Sequence, residues 1–173
     1  SGVFIRQGDS SVPASQEQIR QFIKLSDGDS YEAMRSLNQE LSFSTAQSIF
    51  QTNNLEFAES KYFALGLRNI KDNQFTNLAL LISEQCLHSI KVAVFEDNEN
   101  TKFQAHREFT GSIFQQLENA FAFLMLCNQN PSNFSGLTRN DNWDYPEAAI
   151  REALLNAIIH RDYSYSGSII INV

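Results

Sequence analysis

The sequence predicts an α+β fold, a small mixed or antiparallel sheet with packed helices. Three observations carry that expectation. Ile113, Leu117, Ala120, Phe121, Leu124 and Cys127 recur at helical spacing, which marks one apolar face of a helix. Ile90, Val92 and Val94 alternate with Lys91 and Ala93, the two-residue period of a half-buried strand. The 173 residues are 42% hydrophobic and include 14 Phe, so a sizeable core is available and a disordered chain is disfavoured.

The elements follow in order. Residues 3–6 have strand composition, and 7–11 form a Gly/Asp/Ser turn cluster. Ser15 and Gln18 have capping-box spacing, and Ile19, Phe22 and Ile23 give an apolar face, so a helix is expected over 16–24. Residues 26–30 break it. Ser44 and Gln47 repeat the capping spacing before Ala46, Ile49 and Phe50, and a second short helix is expected over 56–65, stopped by Gly66. Segments 67–70 and 75–83 flank the polar turn 71–74. Two short helices and a hairpin would resemble a winged-helix layout. Strands are expected over 75–83 and 89–95, and a third strand or an extended segment over 103–109, with a solvated acidic loop at 96–100. Ser112 and Gln115 open the longest helix. Residues 128–142 read as a loop, and Pro146 suits the first turn of a further helix running to about His160, with Asp144 or Tyr145 as its cap. Glu147 adds a favourable charge at that N-terminus. Residues 168–173 read as a last strand.

Charge and composition exclude several classes. Thirteen Lys and Arg against twenty Asp and Glu give a net charge of −7 and a pI near 4.9, which disfavours a broad footprint for DNA or an anionic membrane. The longest apolar run, 120–127, has eight residues, whereas a bilayer crossing needs about 20. Cys86 and Cys127 lack metal or redox spacing and read as reduced core thiols of a cytoplasmic protein. His88 and His106 have no sequence neighbours at ligand or triad spacing, which disfavours a self-contained enzyme. The first residues are not signal-like, and the last read as an unfinished strand, so the expectation is a piece of a larger protein.

The helix beginning at Pro146 concentrates the polar chemistry. Ala148, Ala149, Ile150, Ala153, Leu154, Leu155, Ala157, Ile158 and Ile159 leave almost no polar face, so burial on most sides is expected. Glu152 and Asn156 nevertheless stand one turn apart, with His160 one turn further. A buried carboxylate is costly unless paired or functional. One reading has the two satisfying neighbouring backbone groups. The other has a carboxylate that polarises water beside an amide that supports a metal ion and phosphates.

The run from Glu152 to Tyr163, E-A-L-L-N-A-I-I-H-R-D-Y, resembles the start of the ATPase region in a set of bacterial transcriptional regulators. These are often labelled ATP-dependent DNA helicase-related, and they join a Schlafen-type, Alba-like DNA-binding domain to a GHKL-type ATPase domain. Residues 4–11 with Pro13, Ala14 and Ser15 are similar to the closing strand and turn of the Alba-like domain. Segments 75–82 and 109–113 look like the family's connecting region. The resemblance implies three parts: 1–25 as the end of the Alba-like domain, 26–142 as a connecting α+β region, and 143–173 as the first helix and strand of the ATPase domain.

It also implies roles. Glu152 would activate water for ATP hydrolysis, and Asn156 would hold Mg²⁺ near the phosphates. His160, Arg161 and Asp162 match the family string and would lie at the nucleotide; the alternative is that Asp162 caps the turn and Arg161 pairs with it. Arg6 and Arg20 are the candidates for DNA phosphate. The family's later Asp/Gly segment and glycine-rich lid do not occur here, nor does a P-loop. This chain alone is therefore expected to hold half a site, to bind ATP and Mg²⁺ weakly at best, and to contact DNA mainly through an upstream domain. A homo-oligomer is compatible with this reading. The rival is a non-enzymatic interaction or oligomerisation module whose nucleotide site has decayed.

Overall fold

The computed structural model describes residues 2–16, 18, 19, 22, 30–95, 103–128, 133–135, 138–140 and 145–173. Most of the helix expected over 16–24, Arg20 and the loop 96–100 lie outside that set. The fold is α+β, as the patterning predicts.

Strands β1 (Phe4–Gln7) and β2 (Ser10–Pro13) form an antiparallel hairpin in which Phe4 faces Pro13 and Gln7 faces Ser10. Gly8 takes φ +64° in its two-residue turn, a conformation that glycine adopts without steric cost. The Ser15–Gln18 box is present: the Ser15 N–H donates to Gln18 Oε1 at 2.9 Å, and the Gln18 N–H donates to Ser15 Oγ at 3.2 Å.

Helix α1 (Ser44–Thr52) is capped differently from the sequence expectation. Its N-cap is Phe43, which supplies no side-chain bond. Glu84 does so from across the chain, its Oε1 accepting from the Thr45 N–H at 2.8 Å and the Ser44 hydroxyl at 2.9 Å. Over 56–65 only a 3₁₀ turn forms, Glu59–Lys61. Gly66 does end that stretch, at φ +71°.

The centre of segment 75–83 is a helix, not a strand. Helix α2 (Asn77–Ile82) starts at Thr76, whose hydroxyl accepts from the Ala79 N–H at 3.3 Å. Five of its six residues are buried, and an apolar run this short has no period by which to tell helix from strand. The winged-helix hairpin therefore reduces to one antiparallel bridge, Arg68 to Phe75.

The main sheet holds β3 (Ile90–Phe95), β4 (Phe103–Phe109) and β7 (Ile169–Asn172) in the order β4-β3-β7. β4 runs antiparallel and β7 parallel to β3, which makes the sheet mixed. The chain passes from β4 to β7 through helix α3 (Ile113–Cys127), the short hairpin β5 (Asn133–Ser135) and β6 (Thr138–Asn140), and helix α4 (Glu147–Ile159). That hairpin occupies part of the segment expected to be a plain loop.

Alternation works as predicted in β3, where Ile90, Val92 and Val94 are buried and Lys91 is exposed. These three meet Ala120, Phe123 and Leu124 of α3 and Leu154 of α4 in one core. A second core is aromatic: Phe43 packs against Phe57, Tyr62 and Phe75 with ring centroids 5.6–5.8 Å apart. α3 touches both, through Ile113 and Phe114 on one and Ala120 to Leu124 on the other. Ser112 caps α3 by accepting from the Phe114 N–H at 3.2 Å. No helix among the described residues is long and apolar enough to cross a membrane.

Candidate nucleotide site on helix α4

Helix α4 begins at Pro146, whose carbonyl accepts from the Ala149 N–H at 2.9 Å and the Ile150 N–H at 3.2 Å. The expected cap differs, because Tyr145 is engaged elsewhere and Asp144 lies outside the described residues. Asn128, buried at the end of α3, donates from Nδ2 to the Tyr145 carbonyl at 2.7 Å and accepts from the Tyr145 N–H at 2.9 Å. This bidentate clamp fixes where α4 starts relative to α3. Nothing in the sequence pattern marks it, since a lone Asn before a loop is ordinary turn chemistry.

The expectation that α4 is buried on most sides does not hold. Of its residues only Leu154 is fully buried, flanked by the half-buried Ile150 and Ile158. Glu152 and Asn156 are exposed on the opposite side. At about 100° per residue, Ala149, Ala153 and Ala157 form the row between the core face and the Glu152/Asn156 row. The carboxylate thus sits in water, and the desolvation cost invoked from the sequence does not arise. An α4 with so few polar residues is apolar because its alanines make a smooth flank, not because it is enclosed.

The structure does bring the predicted pair together. Asn156 Nδ2 donates to Glu152 Oε1 at 3.4 Å. His160 is the exposed C-cap residue one turn on, its N–H bound to the Asn156 carbonyl at 3.0 Å. Beside the alanine row lies a cavity of about 370 Å³ lined by Leu124, Tyr145, Ala153, Ala157, Ile171 and Val173, among others. The site is an apolar groove with a carboxylate and an amide on the adjoining helix row.

Arg161 and Asp162 take separate directions. Asp162 Oδ1 accepts from the Ser164 N–H at 2.9 Å and the Ser164 hydroxyl at 2.6 Å, which is the turn-capping assignment. Arg161 turns inward. Its Nη2 lies 3.0 Å from His88 Nδ1 and donates to the Tyr165 and Gly167 carbonyls, while its guanidinium carbon stands 5.0 Å from the Tyr163 ring centroid. His88, without useful neighbours in sequence, is buried between Tyr31 and Tyr163 in edge-on ring contacts. Burial, with the Arg161 charge adding to it, lowers the His88 pKa. Burial likewise raises Cys86, which is buried and free, and Cys127, which is half-buried and free. Tyr163 is pushed up to about 12, chiefly by burial.

Arg6 lies in the hairpin, exposed, with Nε bound to the Gly8 carbonyl at 3.2 Å. Among the described residues no three His, Cys, Asp or Glu gather as a ready-made metal cage. A hard cation at Glu152 and Asn156 would draw its remaining oxygens from phosphate and water, the habit of Mg²⁺.

An α+β domain with an acid–amide pair beside an apolar groove is the class of molecule that fold and site define. No family model matches the chain, and no curated protein matches it significantly. Among solved structures the chain is similar to the DIP2311 protein from Corynebacterium diphtheriae, with a TM-score of 0.66 and 19% identity. The match covers 99% of this chain and 36% of that one, so this chain spans about a third of its structural relative. At that identity the likeness establishes a shared fold.

Proposed function

We propose that the chain forms part of a cytoplasmic DNA-binding regulator and contributes one wall of an ATP site. The observation that carries this reading is the Glu152–Asn156 pair, in contact at 3.4 Å on a solvent-facing helix row beside the groove. In this reading the Asn156 amide oxygen holds Mg²⁺, and Glu152 takes the proton from an attacking water. The bound metal would neutralise phosphate charge. The groove, walled by Ala153, Ala157, Leu124 and Tyr145, offers an apolar surface of the kind a base requires. His160 and Asp162 would border the phosphates. DNA would be engaged mainly upstream, with Arg6 a minor contact, because a charge of −7 disfavours a broad footprint.

The rival reading, an oligomerisation module, draws on Ile159 and Ile170, which are 68% and 70% exposed. Titration of ATP with Mg²⁺ into the full-length protein and its Glu152→Ala and Asn156→Ala forms separates the two. Loss of hydrolysis with Glu152→Ala, and of Mg²⁺-dependent binding with Asn156→Ala, supports the site. Equal binding and hydrolysis in all three rejects it, and an Ile159→Glu variant that dissociates an assembly would then favour the module.

A further inference from the structure

The contact between His88 and Arg161 has a chemical consequence. A guanidinium only donates hydrogen bonds, so the 3.0 Å approach of Arg161 Nη2 requires His88 Nδ1 to be unprotonated and to accept. The ring is therefore neutral, with its proton on Nε2; the Gly167 backbone acts the other way and partly offsets the lowering of its pKa. Its other neighbours among the described residues are Tyr31 of the 31–33 turn, Tyr163 after α4, the Cys86 thiol, and Gln116 of α3, which donates to the His88 carbonyl at 2.8 Å. The Glu32 carboxylate is felt by the two tyrosines, raising both Tyr31 and Tyr163. Arg161 Nη1 is itself buried without a hydrogen-bond partner among the described residues. The pocket already holds one positive charge with a donor to spare.

We propose that His88 and Arg161 form a proton-controlled latch: a proton on His88 expels Arg161 and frees the 161–168 segment that leads from α4 into β7. Two cations about 3 Å apart in a partly dehydrated pocket repel strongly, and the protonated ring has no acceptor left for Arg161. Arg161 holds the Tyr165 and Gly167 carbonyls, so its departure loosens the segment just before Ile169, where β7 joins β3 through the Ile169 N–H and the Ser89 carbonyl at 3.0 Å. The β3–β4 pair, whose register does not involve this segment, stays closed. Burial and Arg161 lower the His88 pKa below its ordinary 6.5. The neutral ring therefore stabilises the closed latch above pH 6.5, and that stability declines as pH falls below it.

The test combines two measurements on this chain. Imidazole ¹⁵N shifts follow the protonation of His88, and amide hydrogen exchange, corrected for intrinsic pH dependence, follows 161–173 against β3 and β4. Exchange of β7 is expected to rise between pH 7.5 and 5, following the ring's own midpoint. His88→Gln, which cannot take up the proton, should show no such rise. A His88 midpoint at or above 6.5, unchanged β7 exchange while the ring titrates, or the same rise in His88→Gln would each overturn the latch. The first two outcomes are read on the wild-type chain and need no variant to fold.

Discussion

Replacing Glu84 by Gln removes one charge and leaves the shape of the α1 cap in place. Burial alone would raise the Glu84 carboxyl, but the hydrogen bonds it accepts, from the Thr45 N–H and the Ser44 hydroxyl foremost, outweigh it and hold its pKa at about 2, against an ordinary 4.5. Taken at face value, that depression is worth about 3 kcal/mol at neutral pH. The residue is partly exposed, and its Oε2 is buried without a hydrogen-bond partner among the described residues, so about 1–2 kcal/mol is the working figure, in line with the loss of a good N-cap. The sign follows from the lowered folded-state value. The stabilisation is complete above the unfolded pKa near 4.5 and drains away as pH falls toward about 2. Urea denaturation of both proteins at pH 7 and pH 3 measures it. Glu84→Gln should be less stable by about 1–2 kcal/mol at pH 7, and the gap should shrink to about half or less at pH 3. A gap that is the same at both pH values, or absent at pH 7, would refute the assignment of Glu84 as a charged cap.

Two further outcomes concern the core. Leu154→Ala, at a residue 2% exposed between β3 and α3, should lower unfolding stability by about 2–5 kcal/mol and expose the α4 amides first in hydrogen exchange. Gln116→Leu should cost about 1–3 kcal/mol in denaturant titrations, because Gln116 Nε2 donates to the buried His88 carbonyl at 2.8 Å and to the Gly111 carbonyl at 2.6 Å.

The helical stripe of α3 and the alternation of β3 were legible because each is wide enough to show its period. The stripe is rotated slightly from its expected centre, since Gln116 is buried with Ala120, Phe123 and Leu124. Hydrogen bonding to two carbonyls makes a polar residue acceptable there, and hydrophobicity alone does not reveal that. The α2 helix was misread because six residues carry too little pattern. The α1 cap was misread because Ser44 has the right identity one position too late. At the candidate site, the proximity of Glu152 and Asn156 was legible from helical spacing, while their exposure was not, since alanines serve equally in a core and on a smooth flank.

The sequence by itself determined the α+β class, the Ser15 and Ser112 caps, the alternation that turns Ile90, Val92 and Val94 inward, and the one-turn spacing of Glu152 and Asn156. All of these depend on residues within a few positions of one another. Only the tertiary structure decided that Glu84 caps a helix 40 residues before it, that Arg161 meets a histidine 73 residues earlier, and that Asn128 anchors the start of α4. Such contacts leave no local period to read. They arise where the two cores and the mixed sheet bring distant segments together, and burial there makes each polar group seek whatever partner the packing supplies.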